Sequence, residues 1–311
     1  MKQKISVIIP AYNEEENIKP LYESLTGILK NIPYYYEILW IDDGSTDGTY
    51  DELTELEYKD PHVKPIYFQR NFGKAAVYTA GFENSKGNII ITMDADLQDD
   101  PLEIPKFLEE LKRQDLVIGW KKDRKDPLIT KKIPSKIFNW LNRKMFHLCL
   151  HDSDCGFRAM KSEVAKNLIL YGDNFRYMPA IVKSQGYSVG EVIVRHHERI
   201  HGKSKYGLKR IFTGPFDLIA IKFLNEYVQR PLHLFGTLGL ALFFSGFFLE
   251  LYVLYYRIIM GELFGEHLPA LLLGILLILL SVQIFCTGLL GELITSQRKE
   301  KTFVLRKKPR R

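Results

Sequence analysis

Asn88-Ile89-Ile90-Ile91-Thr92-Met93-Asp94-Ala95-Asp96-Leu97-Gln98-Asp99 is a β-branched apolar run that breaks off into an acidic loop. A short apolar run bounded by polar residues reads as a buried strand. Comparable runs stand at residues 5–10, 37–41, 63–68 and 116–119, with helix-period segments between them at 18–29, 50–56, 75–84 and 101–111. This alternation predicts βαβ units and an α/β domain built on a mostly parallel, Rossmann-like sheet. Such sheets bind ligands beyond the carboxyl ends of their strands. Polar loops follow the first, second and fourth runs: Pro10-Ala11-Tyr12-Asn13-Glu14, Asp42-Asp43-Gly44-Ser45-Thr46-Asp47 and Asp94-Ala95-Asp96-Leu97-Gln98. One acidic loop could be a solvated rim. Three at the same edge predict an active site.

The composition of the 311 residues, 46% hydrophobic and 26% charged, excludes wholesale disorder. The mean hydropathy of −0.12 hides an asymmetry, because the long apolar runs lie after residue 230. Residues 231–256 carry Glu250 as their only formal charge, and residues 268–291 carry none. About 20 apolar residues suffice for a helix to cross a bilayer, so two spans joined by the link 257–267 are expected. Eight Lys and Arg against Glu300 give residues 298–311 a net +7, so the rest of a chain whose total is +6 sums to −1. The positive-inside rule then predicts a multi-pass cell-membrane protein with its N-terminal domain and both termini cytoplasmic. The apolar stretch 5–11 is too short for a signal peptide.

Other classes are excluded by what the chain lacks. Three cysteines, Cys149, Cys155 and Cys286, form neither a disulfide framework nor a CxxC zinc site. No GxGxxG supports a dinucleotide enzyme, and Gly202-Lys203-Ser204 lacks the first glycine and the framing strand of a P-loop. A basic tail on a near-neutral body does not form a nucleic-acid-binding face. A homo-oligomer is compatible with the sequence.

Asp94 and Asp96 project from one face of an extended chain, and Gln98 continues that face if the chain stays extended. Two carboxylates and an amide oxygen suit Mg²⁺ or Mn²⁺ that keeps substrate phosphates as further ligands. Such an ion compensates a departing diphosphate. Downstream, Ile133, Ile137, Trp140, Leu141, Met145 and Leu148 recur at helical spacing among Lys131, Lys132, Lys136, Arg143 and Lys144. This pattern suits a membrane interface, although an ordinary core-facing helix has the same spacing. Lys121, Lys122, Arg124 and Lys125 form a cationic loop that could receive an anionic headgroup, Arg124 by its bidentate fork.

The motifs Val7-Ile8-Ile9-Pro10-Ala11-Tyr12-Asn13-Glu14, Asp42-Asp43-Gly44-Ser45-Thr46-Asp47-Gly48-Thr49, Arg70-Asn71-Phe72-Gly73-Lys74 and Asp94-Ala95-Asp96-Leu97-Gln98-Asp99 resemble the family 2 glycosyltransferases. Within these the chain is similar to the subgroup of dolichol-phosphate mannose synthase-like enzymes and bactoprenol glucosyltransferases. The resemblance implies a GT-A fold, with Pro10, Tyr12, Glu14, Asp43 and Lys74 on the nucleotide sugar. It implies Asp94, Asp96 and Gln98 on the metal. Asp152-Ser153-Asp154-Cys155-Gly156-Phe157-Arg158 resembles the segment beside the acceptor, with Cys155 where the subgroup often has Ser. Arg199, Lys205 and Arg158 are expected on phosphate, and Asp152 or Asp154, with Arg124, on the catalytic step.

The resulting expectation is an inverting transfer of a hexose, from UDP-glucose first and GDP-mannose second, to a polyprenyl phosphate (undecaprenyl or dolichyl). The domains are expected at 1–206 (catalytic), 207–230 (interfacial helix), 231–291 (two spans) and 292–311 (basic tail). A processive polysaccharide synthase usually carries QxxRW and more spans; here no tryptophan follows an arginine. The other rival is a silent, membrane-anchored nucleotide-sugar binder, against which the intact Asp94/Asp96/Gln98 set speaks.

Overall fold

A computed structural model describes residues 3–122, 148, 150–197, 223 and 231–296. The chain forms two compact units, Met1–Ile221 and Lys222–Arg311.

In the first unit, seven strands form one sheet in the order β3-β2-β1-β4-β6-β5-β7. They are β1 (Lys4–Ala11), β2 (Tyr35–Asp42), β3 (Val63–Tyr67), β4 (Ile89–Thr92), β5 (Leu116–Trp120), β6 (Arg158–Lys161) and β7 (Val189–Ile193). Four of the six pairings fall as βαβ logic requires: β1 runs parallel to β2 from Lys4↔Tyr35 to Ala11↔Asp42, and the β1–β4, β2–β3 and β5–β7 pairs are parallel too. The exception is β6, which inserts antiparallel between β4 and β5. The two strands absent from the sequence reading are β6 and β7.

Ile5, Val7, Ile8 and Ile9 in β1, and Ile90 and Ile91 in β4, are wholly enclosed. Central strands of a parallel sheet are covered on both faces, so their apolar residues run on without alternation. On one face, α1 (Glu15–Leu29) buries Ile18, Leu21, Leu25 and Leu29 at three- and four-residue spacing. Burying one such side chain contributes about 1.5–3 kcal/mol. Among the described residues the other α-helices of this unit are α2 (Thr49–Lys59), α3 (Lys74–Asn84), α4 (Ile104–Glu110), α5 (Ser162–Lys166) and α6 (Met178–Ser184). Helices α2 and α3 start immediately after acidic or glycine-bearing loops at the carboxyl edge of the sheet, which places their first residues at the site.

The second unit is a hairpin of α7 (Pro231–Tyr255) and α8 (Leu268–Ser296). The apolar helical segments Pro231–Met260 and Phe264–Thr295 are each long enough to cross a membrane. They are longer than the runs 231–256 and 268–291 because the flanking turns also coil. The helices are antiparallel and in close contact: a Cβ on Gly239 would lie 3.1 Å from the Ser281 carbonyl oxygen, and one on Gly246 would lie 2.8 Å from that of Gly274. Small residues at such crossings let apolar helices approach without a hydrophobic driving force. At the open end the Leu232 N–H donates to a Glu292 carboxylate oxygen at 3.3 Å. Phe244, Phe248, Leu272, Leu276 and Leu279 face outward and exposed.

Candidate active site

The loops after β1 and β2 are pinned to each other. The Asn13 N–H donates to Ser45 Oγ at 2.9 Å and its Oδ1 accepts from the Thr46 N–H at 2.8 Å, with Asn13 in the left-handed region at φ 52. The Glu14 N–H donates to Thr49 Oγ1 at 2.9 Å, and the Glu14 carboxylate accepts from Asn17 Nδ2 at 2.6 Å. Of the residues expected on the donor, Pro10 is buried in β1, whereas Tyr12 and Glu14 are half-buried at its end.

Asp43 is nearly enclosed and works on the backbone. Its carboxylate accepts from the Phe72 N–H at 2.7 Å and the Gly73 N–H at 3.0 Å. Burial pushes its carboxyl above the ordinary range, against the pull of those two donors. Gly44, at φ 71, allows the contact, because a Cβ there would lie 2.5 Å from the Arg70 carbonyl carbon. Asp43 thereby fixes Gly73, the residue that immediately precedes α3.

The first residue of α3 is Lys74, whose Nζ lies 2.8 Å from Asp94 Oδ1. Burial opposes charge on Asp94, but the Lys74 ammonium overrides it and holds the carboxyl below the ordinary range. On its other side Asp94 meets Gly156: a Cβ there would lie 3.1–3.2 Å from all three carboxylate atoms. Thr92 Oγ1 donates to the Gly156 carbonyl at 2.8 Å and holds this approach in place.

The chain does not stay extended after Asp96. Leu97 takes φ 59, which turns the loop, and the Gln98 N–H donates back to Asp96 Oδ1 at 3.3 Å. The expectation of one continuous face from Asp94 to Gln98 is corrected accordingly. Asp99 and Asp100, outside the expected set, anchor this loop. Lys121 Nζ lies 2.9 Å from Asp99 Oδ1, and Asp100 Oδ2 lies 3.2 Å from His197 Nε2. The His197 N–H also donates to the Gln98 carbonyl at 2.9 Å. The sequence offered one signal for these: Lys121 opens the cationic run after β5.

Among the predicted acceptor residues, Arg158 is corrected. Its side chain is 1% exposed, Nε donates to the Cys155 carbonyl at 2.6 Å, and Nη1 donates to the Phe175 carbonyl at 3.0 Å. Its position in β6 turns it inward, where it shapes the 155–158 turn and is enclosed away from any lipid phosphate. Asp152 and Asp154 are half-buried, and Arg176 Nη1 lies 3.5 Å from Asp154 Oδ2. Burial pushes the Cys155 thiol up to about 12, which removes it as a nucleophile. Arg124, Arg199 and Lys205 lie outside the described residues, as do the helical pattern at 133–147 and the stretch 207–222.

Among the described residues no three His, Cys, Asp or Glu side chains form a closed metal cage. The carboxylates of Asp94 and Asp96 stand two residues apart in the loop beyond β4, without such a cage. Open oxygen sites suit a hard cation whose remaining ligands come from substrate, and the lack of a Cβ at Gly156 spares the Asp94 carboxylate a contact of 3.1–3.2 Å.

A protein-family model described as Glycosyl transferase family 2 matches residues 6–169. The chain is 38% identical to dodecaprenyl-phosphate galacturonate synthase of Rhizobium johnstonii over 94% of this chain and 87% of that one. It is 30% identical to undecaprenyl-phosphate 4-deoxy-4-formamido-L-arabinose transferase of Photorhabdus laumondii over 94% of this chain and 89% of that one. Among solved structures, it resembles glucosyl-3-phosphoglycerate synthase from Mycobacterium tuberculosis in complex with Mn²⁺, UDP and phosphoglyceric acid. That likeness has a TM-score of 0.54 at 18% identity, covering 72% of this chain and 78% of that one, and shows a shared fold.

Proposed function

The chain belongs to glycosyl transferase family 2, and on that premise we propose that it moves one sugar from a nucleotide sugar to a polyprenyl phosphate at a membrane surface. The observation that carries this reading is the convergence at one sheet edge of the Asp94–Asp96 loop, the Asp43-anchored start of α3 and the Gly156 turn. Two full-length relatives whose names join a sugar to a polyprenyl phosphate support it. Those names carry galacturonate and a formamido-arabinose, so the expectation of glucose or mannose gains no support, and the donor is proposed only as a class.

In this reading Tyr12 and Glu14 contact the nucleotide, while Asp43 acts through the 72–74 backbone. Asp94, Asp96 and Gln98 would hold Mg²⁺ or Mn²⁺, which supplies charge compensation to the diphosphate. A phosphate monoester has its second pKa near 6, so the acceptor is mostly dianionic at pH 7 and needs no strong base. An acceptor phosphate oxygen attacks the anomeric carbon, the bond to the nucleotide diphosphate breaks, and its electron pair leaves with the diphosphate, inverting the configuration. Asp152 or Asp154 orients the attacking phosphate, with Arg176 steadying Asp154. Arg124, Arg199 and Lys205 are proposed as phosphate cations. Positioning and preorganised charge supply most of the acceleration.

The two apolar helices are proposed to anchor the domain, with both termini cytoplasmic, because the +7 tail follows the second of them. A cysteine placed at Gly265 should react with an impermeant thiol reagent on intact cells, and one added after Arg311 should not; the reverse pattern refutes the orientation. The activity itself is tested by incubating the purified full chain, undecaprenyl phosphate, Mn²⁺ and a panel of radiolabelled nucleotide sugars. Label should enter the lipid phase from at least one donor. Donor hydrolysis without lipid labelling, or no turnover of any donor, overturns the reading.

A further inference from the structure

Lys74 sits where two demands meet. Its backbone is fixed on the nucleotide side, because Asp43 holds the N–H groups of Phe72 and Gly73. Its ammonium reaches across to Asp94 Oδ1 at 2.8 Å. Asp94 also faces Gly156, where an added Cβ would lie 3.1–3.2 Å from both carboxylate oxygens, so Lys74 holds one of the only two oxygens that Asp94 can offer a cation.

The charges set the consequence. A divalent cation that takes this Asp94 oxygen displaces the Lys74 ammonium, which holds it at 2.8 Å. An ammonium and a divalent cation competing for one carboxylate oxygen repel each other, the more so in a partly enclosed site. A diphosphate brings the missing negative charge. The lysine stem is long and flexible, its ammonium bonds in any direction, and its side chain is 27% exposed, so it has room to turn from a carboxylate to a phosphate.

We propose that Lys74 is an exchangeable counter-cation, which competes with the divalent ion for Asp94 and gives way when the donor diphosphate offers its ammonium a replacement anion. Metal and nucleotide then tighten each other's binding, by equal factors as linkage requires. This rests on the metal site proposed above and adds to it a residue that couples its two ligands.

The test is Mn²⁺ binding followed by electron paramagnetic resonance on the full chain in detergent, with and without UDP or GDP, for wild type, Lys74→Met and Lys74→Arg. In wild type the nucleotide should tighten Mn²⁺ at least tenfold. Lys74→Met, which keeps the length and removes the charge, should tighten Mn²⁺ binding without nucleotide by about tenfold and shrink the tightening by nucleotide to threefold or less. Lys74→Arg should keep both wild-type features, which also guards against a misfolded Met variant. Unchanged or weaker Mn²⁺ binding in Lys74→Met without nucleotide, with Lys74→Arg intact, overturns the lysine's role. Absence of Mn²⁺ binding in wild type overturns the metal site, and loss of transfer alone leaves the coupling standing, so the failures are separable.

Discussion

Lys121 Nζ lies 2.9 Å from Asp99 Oδ1, with the lysine side chain 12% exposed and the aspartate 1%. Burial opposes charge on Lys121, yet Asp99 and the neighbouring Asp94 override it and raise its pKa. The ammonium of Lys121 therefore stays charged inside the domain. It ties the end of β5 to the loop that carries Asp94 and Asp96.

Removing one partner of a buried pair strands the other charge, at a cost of about 3–5 kcal/mol. Lys121→Met should therefore lower stability by roughly that much, while Lys121→Met combined with Asp99→Asn should recover more than half. The check is a double-mutant cycle on thermal melts of the first unit's transition. Additive losses would mean that the two groups are not coupled.

Gly156 tests how tightly the acceptor-side turn fits Asp94. A Cβ would stand 3.1–3.2 Å from the carboxylate, closer than ordinary contact, so the carboxylate must shift by a few tenths of an ångström. Misplacement of a catalytic group by about 1 Å can cost about 10²-fold. Gly156→Ala should thus lower kcat about tenfold or more with the melting temperature nearly unchanged. An active variant with a lowered melting temperature would assign Gly156 to packing alone.

These two relationships also mark where the sequence stops being readable. The strands β1, β2, β4 and β5 were legible because burial on both faces forces apolar runs. The strand β6 was not, because its four residues open on Arg158, a cation 1% exposed, and no binary pattern survives that. The resemblance of the 152–158 segment implied a phosphate ligand at Arg158, and no local pattern spoke against it. The acidic loops were legible because carboxylates crowd directly after apolar runs, although Asp43 and Asp96 prove to be buried. The turn at Leu97 was not, since a leucine with positive φ goes against intrinsic preference. Its support comes from Asp99, Asp100 and the segment at His196 and His197, nearly a hundred residues downstream. Such tertiary pairings leave no local periodicity.

Glu37 lies at the opposite edge of the sheet and reports on the fold. Its side chain is 2% exposed and receives Lys4 Nζ at 2.7 Å, Lys64 Nζ at 3.0 Å, Ser6 Oγ at 2.6 Å and the Lys86 N–H at 2.7 Å. Burial opposes its charge, but those four donors win and lower the carboxyl from 4.5 to about 2. A carboxyl whose pKa is lower in the folded state stabilises above its unfolded pKa and loses that contribution as pH falls through the folded one. Roughly 3 kcal/mol should therefore be present at pH 7 and fade between about pH 4.5 and pH 2. Glu37→Gln should be less stable at pH 7 and should show a flatter loss of stability on acidification. An identical acid slope in denaturant melts of wild type and variant would remove Glu37 from the acid transition.

The metal proposal gives the last test, because it separates ligands of different charge within one loop. Asp96 is 8% exposed and lies beyond the end of β4, so Asp96→Asn removes a charge without opening a core cavity. If Asp94 and Asp96 hold a divalent cation against the donor diphosphate, the growing charge on that diphosphate loses compensation. Loss of one preorganised electrostatic contact typically costs about 10²–10³ in kcat, and Asp96→Asn should lose at least the lower figure. Gln98→Ala should lose less, because water can replace a neutral oxygen on a cation that already keeps outside ligands. Chelation by EDTA should abolish transfer by wild type, and added Mn²⁺ should restore it. Both variants should keep the wild-type melting temperature within a few degrees, since neither side chain supports the sheet. The measurement is initial transfer rate to a short polyprenyl phosphate across a Mn²⁺ titration, with melts in parallel. Full activity in EDTA, or Asp96→Asn within about threefold of wild type, which is under 1 kcal/mol of transition-state stabilisation, would remove the cation from the reaction and leave Lys74 and the basic segments to carry the diphosphate's charge.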